Sequence, residues 1–292
     1  MSDTSAIAEG LRAVAAVPAL LSGFGVERVT ERDGLWFERL SISGGGRVHL
    51  CSNRSFGDAS GEEIGCFETD LAAPRVDQLV RDVQAVLPGG PAPNLSPGDV
   101  RVTLSVIAAG ARWERVVGGA PPDLEPYQPL LRTLDALAFE VRAHPLRTLA
   151  MELKLGAPLQ AGEQSVPVTL TFENRGTAGY WLRNPSAFAD QETEHARLWY
   201  APQPSVQPGM TPLPPEPTYV ELEPVARADR PLIWIAPQST ETRRFTAAVA
   251  LDQVPYFLRA GFAGYDGADT VAGQPHLRGC VFSNELEIEP RR

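Results

Sequence analysis

The chain has 292 residues, 43% hydrophobic and 21% charged, the balance of a globular protein with enough length for one large core or two ordinary ones. Its net charge of −10 is not offset by any basic run, which argues against nucleic acid as a partner. Lys154 is the only lysine among 26 basic residues; with abundant Ala, Gly and Pro, this reads as the codon usage of a GC-rich bacterium.

Residues 1–25 read as an N-terminal helix or arm. Ile7, Leu11 and Val14 share one helical face over residues 6–21. The first five residues carry no basic group, and Glu9 and Arg12 interrupt the apolar stretch, so no secretory signal is expected. No window of 18 uncharged apolar residues occurs, so no membrane span is expected and the cytoplasm is the expected compartment.

Residues 26–148 mix strand and helix patterns. Leu35–Ile42 and Arg47–Cys51 flank Ser43–Gly46, a hairpin signal. Val76, Leu79, Val80, Val83 and Leu87 follow at helical spacing behind Pro74. Val100, Val102, Leu104 and Val106 alternate as a strand, and Trp113–Val117 returns after Ala109 and Gly110. A second helix carries Leu130, Leu134, Leu137 and Val141 on one face, and the two helices align without gaps, a hint of a duplicated hairpin-plus-helix unit. These elements define an α+β domain of hairpins plus two amphipathic helices.

Residues 149–292 read as strands throughout. Val166, Val168, Leu170 and Phe172 alternate with Pro167, Thr169, Thr171 and Glu173, the period-2 signature of a half-buried strand. Counting 149–155, 166–172, 179–183, 196–200, 219–222, 232–235, 243–250, 256–262 and 281–288 gives about nine short strands at sandwich-like spacing. The turn at Glu173–Gly176, Trp181, and Pro255–Phe262 with Tyr256 resemble the bacterial immunoglobulin-like β-sandwiches of adhesion-type repeats and intracellular proteinase-inhibitor-type domains. The resemblance covers about 149–290 and implies an all-β sandwich, with the Tyr256 hydroxyl satisfying a backbone group. The first half resembles small bacterial metalloprotease inhibitors in element order alone. A superfold does not name an activity.

The chemistry-bearing patterns are sparse. The chain has no Gly-x-Ser-x-Gly elbow, no phosphate loop and no His-Glu-x-x-His helix. The three cysteines, Cys51, Cys66 and Cys280, do not make a disulfide framework. Cys51 and Cys66 would face each other if their segments pair, but two small packed thiols are the preferred reading. His49 and Cys51 lie two apart on one strand face, the proximity that a thiolate–imidazolium nucleophile needs; a packed strand face is preferred there too. Asp190, Glu192, Glu194 and His195 depart from the calcium-hand pattern and read as a solvated loop. Asp58, Glu62 and Glu63 read the same way.

No catalytic, cofactor-binding or metal-ligating residue is therefore assigned, and no cofactor is expected. Seven prolines between Pro202 and Pro217 make a stiff arm, read as a crossover between sheets in preference to a recognition arm. Its bulky Met210 and Leu213 are candidate contact residues, together with Tyr265, Asp266, Asp269 and His276 of a late loop. The expected function is a non-catalytic bacterial protein-interaction factor of inhibitor or immunity type, with a protein partner, no nucleic acid and no membrane. An enzyme of hydrolase type with a site at an inter-domain cleft is the alternative, and a structural subunit of a larger assembly is the second.

Overall fold

The structure is a computed structural model that describes residues 4–32, 35–54, 63–87, 99–118, 124–187, 196–203, 216–264 and 270–291. It divides into two compact units. The first comprises residues 1–52 with 66–146, the second 53–65 with 147–292.

In the first unit, three α-helices accompany six strands: α1 (Thr4–Ala16), α2 (Ala73–Val86) and α3 (Gln128–Val141), with β1 (Gly25–Arg32), β2 (Leu35–Ser43), β3 (Arg47–Ser52), β4 (Ile64–Asp70), β5 (Arg101–Ala108) and β6 (Ala111–Gly118). The strands lie side by side in the order β4-β3-β2-β1-β5-β6. One face is apolar because alternate residues supply it: Val26 on β1, Leu40 and Ile42 on β2, Val48 and Leu50 on β3, Leu104 and Val106 on β5. The helices bury their own stripes in the same core, through Ile7, Leu11, Val76, Leu79, Leu130 and Leu134. The β2–β3 turn is fixed by close approach: Gly44 donates to the Phe24 carbonyl at 2.8 Å, and a Cβ at Gly44 would land on the Leu21 carbonyl.

The core face also holds one buried cation. Arg28 of β1 is 6% exposed and bonds Glu38 of β2 and Asp135 of α3, while Arg142 reaches Glu38 at 2.8 Å. A buried guanidinium is tolerated only where carboxylates face it. Asp135 thus ties the middle of α3 to the sheet, and Arg142 ties its C-terminal end through Glu38.

The second unit is entirely strand among its described regular elements: β7 (Pro145–Leu155), β8 (Gly162–Asn174), β9 (Tyr180–Arg183), β10 (Ala196–Pro202), β11 (Thr218–Glu221), β12 (Glu223–Pro224), β13 (Leu232–Ile235), β14 (Ser239–Leu251), β15 (Tyr256–Gly264), β16 (Thr270–Val271), β17 (Gln274–Leu277), β18 (Gly279–Phe282) and β19 (Leu286–Ile288). One sheet runs β12-β14-β8-β7, with β8 and β14 in register from Gly162–Leu251 to Asn174–Ser239. A second runs β11-β10-β15-β18, with β19 also on β15, and a third runs β13-β9-β17-β16. Their inward residues share one core, in which Phe172 and Phe262 meet edge to face at 5.5 Å. Asn174 is fully buried and satisfies four backbone groups. It accepts from the N–H groups of Thr148 and Gly176 and donates to the carbonyls of Ala178 and Ala236. The Tyr256 hydroxyl accepts from the Asp252 N–H at 3.0 Å.

This architecture corrects the expected fold class. The chain is mostly β, 56% strand, with three short helices among the described residues and several antiparallel sheets, rather than an α+β domain followed by an immunoglobulin-like sandwich. Two findings overturn that expectation. The helices of the first unit, 13 and 14 residues long, only cover one face of its six side-by-side strands. In the second unit a third sheet, β13-β9-β17-β16, stands beside the two that an immunoglobulin-like sandwich has, and it contains a parallel pairing, His276 with Trp181 and Leu277 with Leu182. Among the described residues no helix is long and apolar enough to cross a membrane.

Candidate functional site

The face of the first unit's sheet turned away from the helices is polar, and cross-strand register assembles it from five strands. His49 on β3 pairs with Ser41 on β2, Ser41 with Glu27 on β1, Glu27 with Ser105 on β5, and Ser105 with Glu114 on β6. One row of side chains therefore crosses the sheet. The row alongside it on the same face runs Ser43, Gly25, Ile107, Arg112. The absence of a side chain at Gly25 deepens the middle of that row. A depression of about 450 Å³ results, lined by Glu27, Ser41, His49, Ser105, Ile107 and Arg112 among others.

Charge on this face is mixed. Arg112 and Ser105 both bond the Glu114 carboxylate, and these bonds, the Arg112 one foremost, hold its carboxyl below the usual carboxylate range. Arg39 approaches Glu27 at 3.9 Å, and Arg47 pairs with Glu68 at 2.7 Å. Ile107 is an apolar side chain 46% exposed among charged neighbours, and partly exposed Val29 and Val116 lie further along the same face. Such a surface offers apolar footholds and hydrogen-bonding groups of both signs.

At the β3 end, Cys51 is joined to Cys66 of β4 in a disulfide with Cα atoms 4.3 Å apart. The expectation of two separate thiols is thereby corrected. The reason is strand adjacency: β4 lies beside β3, which sets the two Cβ atoms face to face. His49 Nε2 stands 3.5 Å from the Cys51 sulfur. The side-by-side placement expected from their spacing is thus a real contact, but with the sulfur already bonded to Cys66 it presents no thiolate. Cys280 is a free cysteine on β18, and burial pushes its thiol up.

Of the residues singled out as contacts, Met210, Leu213, Tyr265, Asp266 and Asp269 lie outside the described residues. His276 lies on β17, 8% exposed and in register with Trp181, which itself packs edge to face on Trp234 at 5.4 Å. Asp58, Glu62, Asp190, Glu192, Glu194 and His195 are also outside the described residues. Sequence reasoning did not single out Glu27, Ser41, Ser105, Ile107 or Arg112. They are scattered over strands far apart in sequence, and only their register joins them.

No protein-family model matches the chain, and no curated protein matches it in sequence.

Proposed function

We propose that the chain is a non-catalytic protein-interaction factor whose partner docks on the open face of the first unit's sheet. The carrying observation is the depression on that face, lined by half-exposed Ile107 together with Glu27 and with Arg112, which bonds the neighbouring Glu114 carboxylate. A protruding apolar side chain with flanking charges on a partner loop complements this arrangement, because the apolar contact supplies affinity and the charges fix orientation. The acidic net charge favours a partner with a basic rim over one with an acidic rim. Inhibitor or immunity factor is the class this reading favours, and the arginine-rich, lysine-poor composition fits a bacterial source.

The test is native co-purification from the source cells with an affinity-tagged full chain. A partner should be recovered in near-equal amount with the unmodified chain and be lost with Ile107→Glu combined with Arg112→Glu. Phe139→Glu, on an 83% exposed position of α3, should retain it. Equal recovery by the open-face variant would refute the proposal.

A further inference from the structure

His49, Cys51 and Cys66 bring one imidazole nitrogen and two sulfurs within 4.8 Å of one another on the open face. We propose that, once the disulfide is reduced, these three side chains bind a single thiophilic divalent cation, so that the first unit carries a metal site gated by thiol–disulfide exchange. This is independent of the partner-binding proposal above and stands or falls without it.

The donor set carries the argument. Two thiolates and one imidazole form the sulfur–nitrogen combination that selects zinc over calcium or magnesium, which demand oxygen ligands. The geometry agrees. Tetrahedral zinc with bonds of about 2.3 Å to sulfur and about 2.0–2.1 Å to nitrogen places sulfur and nitrogen ~3.6 Å apart. His49 Nε2 and the Cys51 sulfur are already at 3.5 Å, one finished edge of that tetrahedron. The two sulfurs must separate from bonding contact to ~3.8 Å, which rotation of the Cys side chains supplies with the strands held in place. A Cα separation of 4.3 Å keeps both within reach of one ion. All three residues are half-buried on strands, so the ligands are positioned by the sheet, and a fourth position is left to water or to a partner's group.

The chemistry balances with one co-reactant, a dithiol reductant. Its thiolate attacks one sulfur of the Cys51–Cys66 bond, and exchange then leaves two protein thiols and the reductant as a disulfide. Binding of the cation releases the two thiol protons and forms two metal–sulfur bonds and one metal–nitrogen bond. In the reverse exchange the disulfide form of the same co-reactant takes the two electrons and leaves as the dithiol, the Cys51–Cys66 bond re-forms, and the loss of two of the three ligands expels the ion. Metal-bound and disulfide states are therefore mutually exclusive, and the redox poise of the compartment selects between them.

The experiment uses the full chain carrying Cys280→Ser, which removes the other thiol. Zinc is the probe, measured as bound metal per chain after gel filtration and by competition with a chromophoric chelator; cobalt is a spectroscopic stand-in. The phosphine-reduced chain should bind about one zinc and the oxidised chain none, and cobalt should give thiolate charge-transfer absorption with tetrahedral ligand-field bands. Cys66→Ser should abolish uptake. His49→Ala should weaken zinc binding by at least the 10–100-fold (about) that loss of a supporting group costs, and should change the cobalt spectrum, which an imidazole merely packed on the sulfur would not. The oxidised and reduced forms share one sequence, and far-UV circular dichroism reports whether reduction preserves the fold. A folded reduced chain that takes up no zinc overturns the proposal. So does a chain that unfolds on reduction, or zinc affinity unchanged by His49→Ala.

Discussion

Cys51 of β3 is bonded to Cys66 of β4 across a sequence separation of 15, and this cross-link closes a short loop at the margin of the first unit's sheet. A loop of that length constrains the unfolded chain by about 3 kcal/mol. Replacing both cysteines with serine should lower the stability of the first unit by about that amount. Urea unfolding read by hydrogen exchange in β3 and β4 checks it. An unchanged midpoint for those strands would show that the cross-link adds nothing to the fold.

Asn174 supports the second unit from inside. It is fully buried, and each face of its amide meets two backbone groups, with Ala178 and Ala236 accepting at 3.0 Å. Alanine there orphans the N–H groups of Thr148 and Gly176 and the Ala178 carbonyl, while the Ala236 carbonyl keeps its bond from the Ser239 hydroxyl. At about 1–3 kcal/mol per buried unsatisfied group, partly relieved by water, Asn174→Ala should cost about 3–5 kcal/mol. Thermal or urea unfolding of the second unit gives the value. A loss under ~1 kcal/mol would mean that the four bonds are replaced without difficulty.

Tyr180 predicts how the second unit responds to alkali. Its hydroxyl donates to the Thr148 carbonyl at 2.7 Å inside the core, and burial, then the nearby Glu63 charge, raises its pKa far above the ordinary tyrosine value of 10.0. A raised folded value means that the folded state keeps the proton after the unfolded chain has released it. The stability is thus fully present below about pH 10 and falls as pH rises beyond that point. Tyr180→Phe should lower stability at neutral pH by about 1–3 kcal/mol, through the lost bond and the unpaired carbonyl, yet flatten the decline above pH 10. A parallel decline in both proteins would assign the alkaline sensitivity elsewhere.

Local elements were legible where a side-chain period coincides with a buried face. Val166, Val168, Leu170 and Phe172 alternate inward on β8, each at 1% exposure or less, and Leu130, Leu134, Leu137 and Val141 mark the buried stripe of α3. The centre of the first sheet was not legible. β1 reads Gly-Val-Glu-Arg-Val-Thr-Glu-Arg, and its core-facing Arg28 disguises the alternation, because the carboxylates that make its burial tolerable sit on Glu38 and Asp135, remote in sequence. The class of the second half was misjudged for a related reason. Nothing local announces that His276 and Leu277 run parallel to Trp181 and Leu182, since that pairing joins segments almost a hundred residues apart in the sequence. The candidate site shares this character. His49, Ser41, Glu27, Ser105 and Glu114 form no linear motif, and the row exists only through four strand registers. The Cys51–Cys66 bond likewise depends on β4 lying beside β3, which spacing alone left open.

The proposed function places the partner on the open face around Ile107. Site-specific photo-crosslinking in the native cell tests it directly, with a photoreactive residue placed at position 107 or, as the comparison, at exposed Phe139 of α3. Docking on that face should give one discrete heavier adduct from position 107, identifiable by mass spectrometry and absent from position 139. An adduct formed only at position 139, or none from position 107 in cells that express the folded chain, would contradict it.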